Sequence, residues 1–432
     1  MTVEMNVSFD KELITQLSQN KQEPKWMLEF RLKALEVYHQ LPLPRLEKTK
    51  LDKWNIDQFI PFTDETLVGI GDLSEEIQNI LEANTEDRSV LVQKNSKFVY
   101  KQLSKKLADK GVIYTDLDTA LQEYPELVKK YFMKSVSFDK NKLLALHTAL
   151  WSGGVFLYIP KHVEVEFPVQ AIYLAAESGL LPHIIIVAEA YSSVTYVDHY
   201  FSENTTQNTV HNGVVEVYVG EGAKVRFATI HNFANGVYDY THRHADVQRN
   251  GRIEWVIGEM NEGNTVSNNI SILKEAGAEA DSKLVFIGTG NQKTNFTSKI
   301  IHEGEHTNSQ ILSRGVMLDE STGIFNGITH MKKGAIKSNA EQAEKVLMLS
   351  EGARGDANPI LLIDENDVMA SHAASAGPVS REDIYYLMSR GIPKEEAERL
   401  IIHGFLTPVV SLIPIEGMQE KLEKVIERKL GK

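Results

Sequence analysis

Residues 338–372 have the sequence SNAEQAEKVLMLSEGARGDANPILLIDENDVMASH, and this stretch decides how the rest of the chain is interpreted. It contains two apolar runs, at residues 346–349 and 360–363. Each run is too short for a helix, and turn-forming residues at 350–353 and 356–359 separate them. Short apolar runs bounded by turn residues are typical of buried strands. The stretch therefore predicts two short strands.

A second feature begins where this stretch ends. Residues 371–377 are SHAASAG, so His372 is surrounded by small side chains. Small neighbours allow a large partner or an inorganic centre to come close to the backbone. A histidine in such a setting is either structural or part of a binding surface, and the residues alone do not decide between the two.

The same strand-like texture extends far upstream. From about residue 155, short segments rich in β-branched and aromatic residues alternate with turns, and no long helical pattern intervenes until about residue 380. More than about two hundred residues of this kind indicate a sandwich, a barrel, a propeller or a β-helix.

A loose repeat favours the β-helix. Turn glycines at positions 222, 251, 277, 304 and 334 are spaced by 29, 26, 27 and 30 residues. Such a period is typical of solenoid folds. A coil of three short strands plus turns has about this length, so three strands per coil are expected.

Helical patterns occupy both ends. Pro24 opens an amphipathic helix near the N-terminus, in a first domain rich in helix. Near the C-terminus, Ser380 resembles an N-cap, Gly391 a C-terminal cap and Pro393 the start of a second helix that Gly404 closes. The predicted organisation is an α-rich domain over residues 1–150, a β-helix over 151–378 and a helical segment over 379–432.

Composition narrows the classes of function. The net charge is −13 without a long basic tract, which disfavours a nucleic-acid or anionic-membrane partner. The N-terminus has no basic-then-apolar signal, and no apolar run is long enough to span a membrane, so the cytoplasm is the expected location. The absence of cysteine excludes disulfides and a self-contained thiolate-ligated iron–sulfur cluster.

The best metal candidate by spacing is the pair His242 and His244, with His231 upstream. On a strand, residues two apart share a face, as in the metal site of a cupin-like enzyme. The glutamate that such a site requires is not evident. A cupin-like metalloenzyme therefore remains one alternative. A β-helical enzyme acting on polysaccharides is another, although no pair of carboxylates stands out for it.

Several long segments resemble one known family. They are the N-terminal EPKWMLEFRLKALEVYHQLPLP, the element Asn339–Gln342, the LLID strand, the SHAA core at His372 and the C-terminal SREDIYYLMSRGIPKEEAERLIIHGF. Together they cover roughly a third of the chain, and they resemble the SufB/SufD family of iron–sulfur cluster assembly proteins.

The resemblance implies a fold and a set of partners. The family core is a right-handed parallel β-helix flanked by helices. The implied function is a non-catalytic scaffold that pairs with a SufB paralogue and docks the SufC ATPase. It implies that His372 faces the SufB partner and contributes to iron or to a nascent cluster shared with it, while the isolated chain holds no stable cofactor. It also implies an ATPase-docking surface on the C-terminal helices, formed by Asp383, Tyr386, Arg390, Glu395 and Arg399.

Departures from the family pattern separate its two branches. SufB chains carry a cysteine where this chain has Ala343 and a glutamate where it has Ala373. Some SufD chains carry a cysteine where it has Ala370. The chain therefore lacks the SufB cluster-binding groups, which favours the SufD branch and argues against a thiol role for this subunit.

Overall fold

A computed structural model of the protein describes residues 9–62, 77–78, 89–176, 178–202, 209–412 and 416–430. Within these ranges the chain is mostly β, a parallel β-helix of about seven turns with helices at both ends, which confirms the predicted fold class. None of the helices in these ranges is both long and apolar enough to cross a membrane. The α-helices are α1 (Lys11–Asn20), α2 (Lys25–Gln40), α3 (Lys105–Asp109), α4 (Leu117–Glu123), α5 (Pro125–Tyr131), α6 (Lys142–Leu150), α7 (Arg381–Ser389), α8 (Lys394–Val410) and α9 (Glu416–Lys429).

The strands run from residue 89 to residue 378. They are β1 (Ser89–Lys94), β2 (Lys97–Gln102), β3 (Ile113–Asp116), β4 (Val155–Ile159), β5 (Val169–Ala175), β6 (His183–Ala188), β7 (Ser193–Ser202), β8 (Thr209–Val219), β9 (Lys224–Asn232), β10 (Val237–Val247), β11 (Arg252–Glu259), β12 (Thr265–Leu273), β13 (Glu279–Gly288), β14 (Lys293–His302), β15 (Asn308–Met317), β16 (Thr322–Met331), β17 (Asn339–Met348), β18 (Arg354–Ile363) and β19 (Met369–Pro378).

The solenoid has two strands per turn. From β4 onward each strand pairs in parallel with the strand two positions later, so odd-numbered strands form one sheet and even-numbered strands the other. The expectation of three short strands per coil is therefore wrong. Polar residues that point into the interior, such as Asp239 and Arg243 within β10, interrupt the apolar pattern and make long strands resemble short ones. The parallel pairing also differs from the antiparallel sheets of a cupin.

In the last turn of the solenoid, the strands begin and end at residues that differ from those predicted. Strand β18 begins at Arg354 and continues through Asn358 and Pro359, which the sequence suggested were turn residues. Proline has no N–H to donate to a ladder, so it is tolerated in a strand at a sheet edge. Strand β18 is the last strand of its sheet, which explains the position of Pro359. The small-residue segment around His372, not predicted as a strand, forms β19.

Strands from the first 150 residues extend both sheets. Strand β1 pairs in parallel with β5, and the short strand β3 pairs antiparallel with β4. The sheets of the solenoid therefore start well before residue 151.

The N-terminal helices pack on the outer face of the even-numbered sheet. Apolar residues of α2 and α6 form one buried cluster with Val210, Tyr240 and Val266 of that sheet. Arg31 of α2 is fully buried, pairs with Glu23 at 2.6 Å and donates hydrogen bonds to the backbone carbonyls of Ala149, in the last turn of α6, and Trp151, just after it. A buried arginine is tolerated only with such complete pairing, so this contact fixes α2 to the start of the solenoid.

The C-terminal helices α8 and α9 pack on the outer face of the odd-numbered sheet. Ile402 and Leu406 of α8 and Leu422 and Ile426 of α9 form a buried cluster with that sheet. The predicted N-cap is confirmed, because Ser380 accepts a hydrogen bond from the Asp383 amide. The predicted helix end at Gly404 is wrong, since α8 continues to Val410. Packing of its apolar residues on the sheet extends the helix past the glycine.

Candidate functional site

The solenoid ends at an open apolar edge. Strands β18 and β19 are the last strands of their sheets, and most of their residues are exposed or half-buried. Four large apolar side chains of this last turn are between 38% and 69% exposed: Ile360, Leu362, Ile363 and Met369. An exposed apolar edge is the type of surface that pairs with a strand of another chain.

His372 lies within this edge. It is exposed, and it is in register with Gln342 of β17. Gln342 points into the solenoid, because its Nε2 donates to Thr329 Oγ1 on the opposite sheet at 2.6 Å. Register partners in a parallel pair point to the same face of the sheet. His372 is therefore on the interior-facing side of the last turn, at the open end of the solenoid.

The three positions at which this chain departs from the family pattern lie beside His372. Ala343 and Ala373 are register partners on neighbouring strands, on the face opposite to that of His372. The positions that carry a thiol and a carboxylate in the SufB branch are thus adjacent in this fold, and both are alanines here. Ala370 shares the face of His372 and is in register with Ala340.

Two polar residues below His372 have acceptor oxygens without a hydrogen bond from the described residues. Glu344 is 1% exposed, and neither of its carboxylate oxygens accepts a hydrogen bond from a described residue. The Oε1 atom of Gln342 is likewise buried without a donor. Burial raises the pKa of Glu344 to about 7, although the nearby backbone N–H of Gly327 acts in the opposite direction.

The middle turns contain a different polar cluster. His211, His231 and Asp239 are fully buried, and their ligand atoms lie within 4.8 Å of one another, so they form a potential metal-binding group. Asp239 accepts hydrogen bonds from both histidine Nδ1 atoms at 2.8 Å. It also accepts from Thr241 at 2.9 Å and from Asn261 at 2.8 Å. Each carboxylate oxygen is therefore already satisfied twice.

Further contacts indicate that this cluster stabilises the fold rather than binding a metal ion. The Nε2 atom of His231 is 2.7 Å from the guanidinium of Arg243, which also donates to Ser267. A fixed cation next to the histidine disfavours a metal cation at the same place. Burial alone would raise the pKa of Asp239, but His231 and His211 outweigh this and hold the pKa well below its usual range. The cluster is a hydrogen-bond network that joins the two sheets, and within it the Nε2 atom of His211 alone has no hydrogen-bond partner among the described residues.

The predicted pair His242 and His244 lies on the outer face of β10, whereas His231 points into the interior. The structure therefore does not bring His231 to the pair. Both side chains of the pair are buried, and burial lowers the pKa of His242 to about 3 and that of His244 to about 4. Neither nitrogen of His242 has a hydrogen-bond partner among the described residues. A metal role for the pair remains a prediction.

The residues expected to dock an ATPase lie on two helices at the C-terminal side. Asp383, Tyr386 and Arg390 are exposed on or just after α7, and Glu395 is exposed at the start of α8. The Arg390 guanidinium lies 5.3 Å from the Tyr386 ring. Arg399 is less exposed and pairs with Glu396 at 2.5 Å. No residue of α7 is buried, and its Tyr385 is 74% exposed.

Sequence reasoning missed Asp239, His211 and Glu344. No local signal marks Asp239, because Thr241, His242, Arg243 and His244 are consecutive polar residues and conceal the two faces of the strand. For Glu344 no local signal exists, since only the pairing of β17 with its neighbours shows that it is buried.

Comparison with known proteins agrees with this architecture. Residues 12–171 match the family model described as "SufBD protein N-terminal region", and residues 172–405 match "SUF system FeS cluster assembly, SufBD core domain". The chain is 48% identical, over the full length of both chains, to the Bacillus subtilis protein named "Iron-sulfur cluster assembly protein SufD". It is 32% identical to an "Iron-sulfur cluster assembly SufBD family protein" of Staphylococcus epidermidis, over 94% of this chain and 90% of that one. With these matches along its whole length, the chain belongs to the SufB/SufD family and within it to the SufD branch.

Proposed function

We propose that this protein is a non-catalytic scaffold subunit of the cytoplasmic SUF machinery for iron–sulfur cluster assembly. It pairs with a SufB paralogue through the open end of the β-helix, and it docks the SufC ATPase on α7 and the start of α8. The observation that carries the proposal is the exposed apolar edge of β18 and β19 with His372 inside it.

The edge supports pairing with a related solenoid. A second β-helix that added its own last strands would cover the unpaired backbone groups and the apolar side chains Leu362, Ile363 and Met369. Such main-chain pairing supplies affinity, while the side chains on alternate positions supply specificity. An edge left open would be an aggregation hazard, so a permanent partner is the natural solution.

The absence of cysteine supports a shared rather than an internal cluster. Iron–sulfur clusters are held mainly by thiolates, and histidine is able to replace some of them. This chain offers imidazole and carboxylate ligands only. A nascent cluster at this end must therefore take its thiolates from the SufB partner, with His372 as one ligand or as a hydrogen-bond donor.

The test is co-expression with SufB and SufC, followed by anaerobic purification and analysis of iron and sulfide. His372→Ala is expected to leave complex assembly intact, because the side chain is exposed and its neighbours are small, yet to lower the cluster yield. His39→Ala, at an exposed histidine on the distant helix α2, is the matched control. Wild-type cluster yield in the His372→Ala complex would refute the role of His372.

Docking of the ATPase is tested separately. Removal of everything after Val379 would strip the apolar contacts of α8 and α9 from the sheet. Point substitutions are therefore the sharper test. Tyr386→Ala is expected to abolish or strongly weaken SufC capture in a pull-down, whereas Tyr124→Ala, at a partly exposed tyrosine of the N-terminal region, leaves it unchanged. Undiminished capture by the Tyr386→Ala variant would contradict this surface.

A further inference from the structure

The last two turns of the solenoid contain two buried side chains, Glu344 and Gln342, with acceptor oxygens that make no geometrically good hydrogen bond to a described residue. The Glu344 carboxylate lies directly over Gly327, where a Cβ would overlap its Oε1 atom, and the Oε1 atom of Gln342 would be 3.4 Å from that same Cβ. Two unsatisfied oxygens therefore face one point inside the solenoid. Buried polar groups of native proteins are nearly always satisfied, so two unsatisfied acceptors at one point call for an occupant.

The arrangement is unfavourable for the isolated protein. Burying an acceptor without a hydrogen bond costs about 1–3 kcal/mol, and more for a charged group. Ser313, the register partner of Glu344 on β15, is buried but makes no hydrogen bond to it. The part of the chain that the structure describes therefore leaves this pair of oxygens open to a ligand.

The open end gives access to this point. Ala374 is in register with Glu344, and His372 is in register with Gln342. Both residues of β19 are exposed, and Ala374 has only a methyl group to cover the carboxylate. Neighbouring strands are about 4.8 Å apart, so the backbone of His372 lies one strand spacing from that of Gln342, with Glu344 two residues further along the same face. His372, Gln342 and Glu344 thus share the interior face of the odd-numbered sheet, and only the exposed last turn separates the two oxygens from the open end.

We propose that Glu344 and Gln342 supply oxygen ligands for a divalent first-row transition cation, Fe²⁺ in the cell, which they hold together with His372. Imidazole suits iron, and carboxylate or amide oxygens complete a mixed set without thiolates. The remaining coordination positions face the partner. The proposal rests on the proposed function and deepens it, because it gives this cysteine-free subunit a part in presenting iron to the shared cluster.

The test is an anaerobic titration of the full-length protein, with Co²⁺ as a spectroscopic probe and with Fe²⁺, in the presence of excess Mg²⁺. We expect Glu344→Gln to weaken Co²⁺ binding by about tenfold or more and to change its absorption spectrum. His372→Ala is expected to weaken binding as well. Glu341→Gln is the matched control, since Glu341 lies on the same strand but is exposed on the outer face. It should bind as the wild type does.

Equal affinity of the wild type and the Glu344→Gln variant for both metals overturns the proposal. So does a Glu344→Gln variant that keeps its metal affinity but loses SufB binding, because the carboxylate would then pair with a cation of the partner. A folding defect is not expected to explain a loss of metal binding, since glutamine has nearly the shape of glutamate. Thermal unfolding of each variant checks that it is folded.

The two proposals fail independently. If Glu344→Gln leaves metal binding unchanged while His372→Ala lowers the cluster yield of the complex, the cation site is wrong and the scaffold function stands. If Glu344→Gln abolishes metal binding while the His372→Ala complex matures clusters normally, the cation site stands and the role of His372 in cluster assembly is wrong.

Discussion

Two buried carboxylates inside the same β-helix have opposite surroundings. Asp239, in the middle turns, accepts four hydrogen bonds from four side chains on three strands and one adjoining turn. Glu344, near the open end, accepts none from a described residue. His231 and His211 hold the pKa of Asp239 well below its usual range, whereas burial raises the pKa of Glu344 to about 7.

The difference distinguishes a carboxylate that stabilises the fold from one that is available to a ligand. A polar group that is matched on every side stabilises one arrangement of the strands and leaves no capacity for a ligand. A polar group that is buried but unmatched costs stability, and proteins retain such groups mainly at functional sites. Asp239 is therefore part of the scaffold, while Glu344 keeps its acceptors available. Glu259, in the middle turns, also has two oxygens without a hydrogen bond among the described residues, but the Arg243 guanidinium lies 3.6 Å from it.

The largest expected effect comes from breaking the matched network. Asp239→Ala leaves His211, His231 and Asn261 without their acceptor in a dry interior. We expect the free energy of unfolding to fall by about 4 kcal/mol or more, as for removal of one partner from a buried charged network. Chemical denaturation measures the change, and loss of soluble folded protein is the extreme form of the same result.

The control for this substitution is Asp281→Ala. Asp281 pairs with Arg252 on the solvent side of a neighbouring strand, at 2.7 Å. A surface ion pair of this kind contributes about 0–1 kcal/mol. Comparable losses in the two variants would show that the interior network is no more important than a surface contact.

Glu344→Gln should instead raise the free energy of unfolding. The folded-state pKa of about 7 lies above the ordinary value of 4.5, so the carboxyl group penalises the folded state fully above pH 7 and not at all below pH 4.5. We expect the variant to gain about 2–3 kcal/mol of unfolding free energy at pH 8 and nothing at pH 4.5. The new amide is also able to donate to Gln342 Oε1.

Denaturation at the two pH values measures this gain, with Glu341→Gln as control. The exposed Glu341 should give no difference between the two pH values. A Glu344→Gln variant that is destabilised at pH 8 would mean that the carboxylate is matched in solution and that the contrast with Asp239 is wrong.

The matched interior should in turn be sensitive to acid. His302 at the end of β14 contacts Thr307 and Ser309 through its two ring nitrogens, and burial lowers its pKa to about 4. The unfolded state takes up a proton near pH 6.5, so this contribution is complete above pH 6.5 and is lost as the pH falls toward 4. We expect a loss of about 2 kcal/mol between pH 6.5 and pH 5 from this residue.

His302→Gln isolates that contribution. It should flatten the dependence of the unfolding free energy on pH over this range, while His39→Gln at an exposed position should leave the slope unchanged. An unchanged slope in the His302→Gln variant would assign the acid sensitivity to the other buried histidines.

Much of the fold is readable from the sequence, because turn glycines and short apolar runs repeat at the period of a solenoid. The number of strands per turn is not readable, since inward-pointing residues such as Asp239 and Arg243 break the apolar alternation. The strand that contains Pro359 is not predicted for a related reason, because the proline is tolerated only since this strand lies at the edge of its sheet. These features depend on pairing between residues about thirty positions apart.

The residues of the candidate site also differ in how far the sequence predicts them. His372 stands out locally as a histidine among small residues, and the family resemblance gave it a role. Glu344 does not stand out, because a glutamate in a strand-like run is usually exposed, as Glu341 three positions earlier is. Only the register of β17 with β15 and β19 shows that Gln342 and Glu344 lie inside and beneath His372.

The smallest expected effect on the isolated protein concerns the open edge. Ile363 ends β18 and is 47% exposed, so a lysine there loses little buried apolar area. Ile363→Lys should change the free energy of unfolding by no more than about 0.5 kcal/mol. Lysine on an edge strand nevertheless blocks edge-to-edge pairing, because its charge would have to be buried against the incoming strand. The variant should therefore fold normally and fail to co-purify with SufB. Leu103→Lys, at a comparably exposed leucine after β2 near the other end of the solenoid, should retain SufB. If both variants capture SufB equally well, the partner binds elsewhere, and the unmatched acceptors near Glu344 do not face an interface.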